Sequence, residues 1–138
     1  MGNEKILVIT KIGRWLFLGF TILFFSSVLA QIFFAGLAIF VNPYHWHTHT
    51  TYVHLFGFNI PVFLLLWAYI GRLPQWSYRY VFGLMFGVFS MYFTANFTDL
   101  NRIVGALHPV MAIILFLISY QLLKKTAQFM IINKKGSE

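Results

Sequence analysis

Trp15 to Val41 reads WLFLGFTILFFSSVLAQIFFAGLAIFV, without one charged residue. A helix needs about 20 predominantly apolar residues to cross the ~30 Å hydrocarbon core of a bilayer, so this stretch is long enough to span one. Three further uncharged runs follow, from about Thr51 to Ile70, from Tyr80 to Phe97 and from Ile103 to Leu123. The connectors between them are Asn42 to Thr50, Gly71 to Arg79 and Thr98 to Arg102. They are short enough that successive helices must be antiparallel neighbours. The expectation is an all-α polytopic membrane protein, a single domain over residues 1–138 built as an antiparallel bundle of four transmembrane helices. The first run also invites a signal-peptide reading, with Lys5, Lys11 and Arg14 as the basic region and Val28-Leu29-Ala30 as a cleavage-like site. Its apolar character continues well past Ala30, which suits a span better.

Composition points the same way. Of 138 residues, 59% are hydrophobic and 9% charged, whereas a soluble domain carries about a quarter of its residues as charges. The absence of cysteine excludes a disulfide scaffold, a thiol nucleophile, a zinc ribbon and a ferredoxin. The formal net charge of +7 would suit nucleic acid only as a stripe on a folded surface. Here the basic residues stand between apolar runs, and nucleic acid is not expected as a partner. Nine of the ten basic residues (Lys5, Lys11, Arg14, Arg72, Arg79, Lys124, Lys125, Lys134 and Lys135) fall on one face of the predicted bundle. The positive-inside rule makes that face cytoplasmic, and both termini with it. The other face keeps Arg102, balanced by Asp99, and an aromatic belt of Trp15, Trp67, Trp76 and Tyr78 is expected at the cytoplasmic boundary.

Ionisable or strongly polar residues inside a span are costly unless paired or ligated, so they are the functional candidates. These are Gln31 in the first run, His54 and Asn59 in the second, Asn96 in the third and His108 in the fourth. If Thr48 begins helix two and Asp99 caps helix four, His54 and His108 lie at comparable depths. Helices two and four occupy one diagonal of an up-down bundle, so two imidazoles reaching inward could ligate both faces of a haem b iron. Gly57, one turn from His54, would leave room for a flat macrocycle, and Gln31 or Asn96 could bond a propionate or an imidazole. The same residues are equally compatible with structural hydrogen bonds and close helix packing.

His45, His47 and His49 would point to one side of an extended segment, as zinc or copper ligands do, although an interfacial loop explains them as well. Pro109 disfavours helical geometry at His108 and removes one backbone donor, so helix four should bend there or be preceded by a separate turn. Pro61 should act similarly below His54. Gly83 and Gly87 form a ridge that serves either packing within the bundle or a homodimer or membrane-complex partner.

The strings Gln31-Ile32-Phe33-Phe34-Ala35-Gly36, His54-Leu55-Phe56-Gly57 and Ala106-Leu107-His108-Pro109 resemble the hallmarks of a family of small, functionally uncharacterised bacterial four-helix membrane proteins. That resemblance implies a multi-pass protein of the bacterial cytoplasmic membrane. More remotely, one histidine on helix two and one on helix four is similar to membrane b-type cytochromes and ferric-reductase-like bundles. This implies one bis-histidine haem in the outer leaflet, with electron exchange to a quinol or redox partner, or haem carriage. A cofactor-free membrane subunit or assembly factor is the alternative of another class. Hydrolytic catalysis is not expected, because Glu4, Asp99 and Glu138 form no carboxylate pair.

Overall fold

The computed structural model describes residues 2–97 and 101–135, with side chains from Glu4 to Ile132 within them. Every regular element there is helical: α1 (Gly2–Phe40), α2 (His45–Phe56), α3 (Asn59–Ile70), α4 (Gln75–Asn96), α5 (Arg102–Ala106) and α6 (His108–Lys135). They make four rods, because α2 and α3 run on as one bent rod and α5 and α6 as another. The stretches Glu4–Phe40, His45–Ile70 and Arg102–Ile132 are each long and apolar enough to cross a membrane.

α1 begins well before Trp15. Lys5, Lys11 and Arg14 do not interrupt helical geometry, and with 39 residues α1 is about 58 Å long. Its first turns therefore run beyond the rest of the bundle at the basic end. At the other end the expected connector Asn42–Thr50 is mostly helix. Asn42 Oδ1 accepts from the Tyr44 N–H at 2.9 Å, Pro43 presets the turn, and α2 starts at His45, before Thr48.

The bend between α2 and α3 has a covalent cause. Pro61 has no N–H for the carbonyl four residues back, and its ring crowds that carbonyl. The residue four back is Gly57, where the helix breaks. Asn59 Nδ2 repairs part of the damage by donating to the Leu55 carbonyl at 2.6 Å. Pro109 acts in the same way on Gly105, so α5 stands as a separate short helix before α6. Asn101 caps α5, accepting from the Ile103 N–H at 2.9 Å. Asp99, expected as the cap and as the balance for Arg102, lies outside the described residues.

Packing runs round a square in the order α1, α2–α3, α4, α5–α6, and among the described residues no two Cα atoms come within 8 Å across either diagonal. The core is apolar, with Phe17, Leu64, Val81, Leu84 and Leu122 fully buried. Large apolar side chains also cover the outside, among them Phe82, Phe86 and Phe89 on α4 and Ile113 and Leu117 on α6. Apolar groups facing both in and out suit a lipid solvent. α4 falls short of the others in average apolarity because it carries Gln75, Arg79, Asn96 and three tyrosines along with its serines and threonine. Ser77 and Thr94 are buried in the bundle, while Ser90 and Asn96 bond back to the carbonyls of Phe86 and Tyr92.

Two glycine contacts set the spacing of the rods. A Cβ on Gly87 would stand 2.8 Å from Leu115 Cδ1, and one on Gly83 3.8 Å from Ile118 Cγ2. The Gly83/Gly87 ridge thus packs on α6 within the molecule. At the basic end, a Cβ on Gly13 would meet Gly71 N at 2.5 Å, so α1 crosses the α3–α4 turn backbone to backbone. Arg14 Nε donates to the Gly71 carbonyl at 3.0 Å beside that crossing.

Candidate functional site

Three of the polar candidates, Gln31, His54 and His108, gather at the end away from the basic face, and each is tied across one interface between rods. Gln31 Nε2 donates to the His49 carbonyl at 3.1 Å. In return His49 Nδ1 lies 3.1 Å from the Gln31 carbonyl. A carbonyl can only accept, so His49 carries its proton on Nδ1. This reciprocal pair clasps α1 to α2. His54 Nδ1 and the Tyr92 hydroxyl are 3.1 Å apart, joining α2 to α4. His108 Nδ1 and Thr94 Oγ1 are 2.9 Å apart, joining α4 to α6.

Thr94 Oγ1 also spends its single proton on the carbonyls of Ser90 and Met91, at 2.9 and 3.1 Å. With that proton on a carbonyl, the His108 Nδ1–H donates to the hydroxyl oxygen. His49, Tyr92 and Thr94 are the members that sequence reasoning did not single out for this role. His49 carried one signal, because His45 and His49 are four apart and share a helical face. Tyr92 carried none beyond lying on a polar stretch of α4, whereas Thr94 continues the Gly83/Gly87 ridge at helical spacing and so shares the face that packs on α6.

Other candidates are placed elsewhere. Asn96 is exposed and bonds its own helix, so it reaches neither histidine. Gly57 is buried at the bend, and a Cβ there would stand 3.3 Å from Val53 Cγ2 and Val88 Cγ1. The space beside it is filled by neighbouring valines. His45, His47 and His49 lie on helix α2 and not on an extended segment, so His47 is turned away from the face that the other two share. Among the described residues no group of three His, Cys, Asp or Glu side chains could hold a metal ion.

A haem between His54 and His108 needs the two rings to face one gap. Tyr92 and Thr94, which hold them, are two residues apart on α4 and project about 200° from one another. The imidazoles therefore sit on different flanks of α4. His54 is exposed on its flank and His108 half-buried on the other. The cavity beside Gly57 and Gln31 measures about 40 Å³, room for about one water and far below a macrocycle. The residues present do not fit a bis-histidine haem. Inside the same region Gln31 Oε1 is buried without a donor.

Residues 31–99 match a family of unknown function, DUF6220. The matched segment contains Gln31, His49, His54, Gly57, Tyr92 and Thr94 and ends before His108. No curated protein and no solved structure matches the chain.

Proposed function

We infer that this chain, which belongs to the family of unknown function DUF6220, is a non-catalytic membrane subunit or assembly factor of the bacterial cytoplasmic membrane. Its four rods span the bilayer with both termini in the cytoplasm, and its histidines hold the rods together. The observation that carries this reading is the set of polar pairs Gln31–His49, His54–Tyr92 and His108–Thr94. Each crosses a different interface, as expected of polar groups that act as glue in lipid. A reactive site would instead gather its groups around one gap. The cytoplasmic orientation is supported by the clustering of nine of the ten basic residues. Membrane insertion is supported by three rods of sufficient length and apolarity.

The absorption spectrum of detergent-purified protein, oxidised and then reduced after haem supplementation, tests the role of the histidines. The expected result is no Soret band. His54→Ala and His108→Ala should each cost about 0.6 to 1.7 kcal/mol, and their effects should add, because they serve separate interfaces. A Soret band that either single substitution abolishes would overturn the structural role and restore a shared iron.

A further inference from the structure

We propose that the corner between the first turns of α1 and the α3–α4 turn binds one anionic phospholipid, with Arg72 as the headgroup anchor. This rests on the membrane reading above. The corner is a hollow of about 380 Å³, open on one side and lined by Ile6, Ile9, Thr10, Tyr69, Ile70 and Arg72. That volume falls within the ~300–1,000 Å³ of ordinary ligand sites. Its walls divide by chemistry. The isoleucines offer an apolar surface to an acyl chain, while the Thr10 and Tyr69 hydroxyls and the Arg72 guanidinium offer donors to a phosphate.

The charge around Arg72 favours an anion. Glu4 is the only acidic residue with a described side chain, and no ion pair or hydrogen bond engages the exposed Arg72 guanidinium among the described residues. The site also lies on the face that gathers nine of the ten basic residues, where the inner leaflet presents anionic headgroups.

The backbone adds an independent observation. α3 ends in a Schellman turn, with the Arg72 N–H on the Tyr69 carbonyl at 3.1 Å and the Leu73 N–H on the Ala68 carbonyl at 2.9 Å. The left-handed position of that turn is normally glycine. Here it is Arg72, at φ 48°, the only non-glycine residue with positive φ among those described. Gly71 stands one position too early to relieve the strain, because its missing side chain serves the crossing with α1. A strained residue kept where glycine would be cheaper points to use of its side chain.

The test is native mass spectrometry of the full chain in detergent, titrated with phosphatidylglycerol or with phosphatidylcholine of the same acyl chains. Wild type should retain one phosphatidylglycerol and bind it about fivefold tighter than phosphatidylcholine, the factor that about 1 kcal/mol per basic residue gives. Arg72→Gln and Arg72→Gly should both lose that preference. Arg72→Gly should melt no lower than wild type in lipid-free detergent, which separates loss of the site from loss of the fold. Equal binding of the two lipids by wild type, or undiminished preference in both variants, would overturn the site. So would displacement of the lipid by an equal concentration of inorganic phosphate, which would make the anchor a phosphate site without a lipid. Failure of the chain to enter phosphatidylglycerol vesicles at all would instead refute the membrane reading.

Discussion

At Gly13 the backbone of α1 passes the α3–α4 turn with no room for a methyl group, since a Cβ there would lie 2.5 Å from Gly71 N and 2.8 Å from its Cα. The obstacle is backbone on both sides, so neither partner can swing aside. Gly13→Ala should therefore lower stability by about 1–3 kcal/mol, as overpacking does elsewhere. Gly19 is a control on the same helix, with nothing within 4 Å of its Cβ position. Gly19→Ala should gain about 0.5–1 kcal/mol from helix propensity alone. Denaturant or thermal unfolding in detergent checks both, and equal effects would show that the crossing is not tight. Neither outcome is legible in the sequence, because Gly13 and Gly19 both sit in an apolar helical run. What separates them is a residue more than fifty positions away.

Among the elements, the prolines were legible and the histidine segment was not. Pro61 and Pro109 act through the carbonyl four residues back, a local rule that needs no tertiary information. Pro109 leads to a further expectation. With the ring removed, α5 and α6 can join, turning His108 away from Thr94. Pro109 is exposed, so Pro109→Ala loses little burial, and its cost should come from that one bond, about 0.6 to 1.7 kcal/mol. Thr94→Val should cost a similar amount, and the double variant should be little worse than either single one. Full additivity in unfolding measurements would disconnect the proline from the His108 bond. The segment His45 to His49 looked like an interfacial loop because it is polar and aromatic. It nevertheless contains no breaker after Pro43, and Asn42 starts the helix. α4 shows a related gap between average and arrangement. Its mean apolarity falls short, yet its outer face is phenylalanine and its hydroxyls are turned inward or bonded to their own helix.

For the whole molecule, the distribution of basic residues predicts which end faces the cytoplasm. The chain has no cysteine, so single cysteines can be introduced on a silent background. Thr50 and Gln75 are both exposed and lie at opposite ends of the bundle. A cysteine at Thr50 should react with an impermeant maleimide in intact cells, and one at Gln75 only in inverted membranes. The reverse pattern would place the termini outside. The four-rod architecture, the antiparallel order and the two proline breaks follow from the sequence alone, because hydropathy over a bilayer's width and proline's missing N–H are properties of contiguous residues. The partners of the histidines do not. His54 and His108 share a depth and a diagonal in any up-down bundle, but which flank each ring takes depends on the rotation of each rod about its own axis. That rotation is set by close contacts such as Gly87 with Leu115 and Gly57 with Val88. Only the packed bundle therefore decides that Tyr92 and Thr94 hold the two imidazoles apart, because rotation is fixed by contacts between residues distant in the chain.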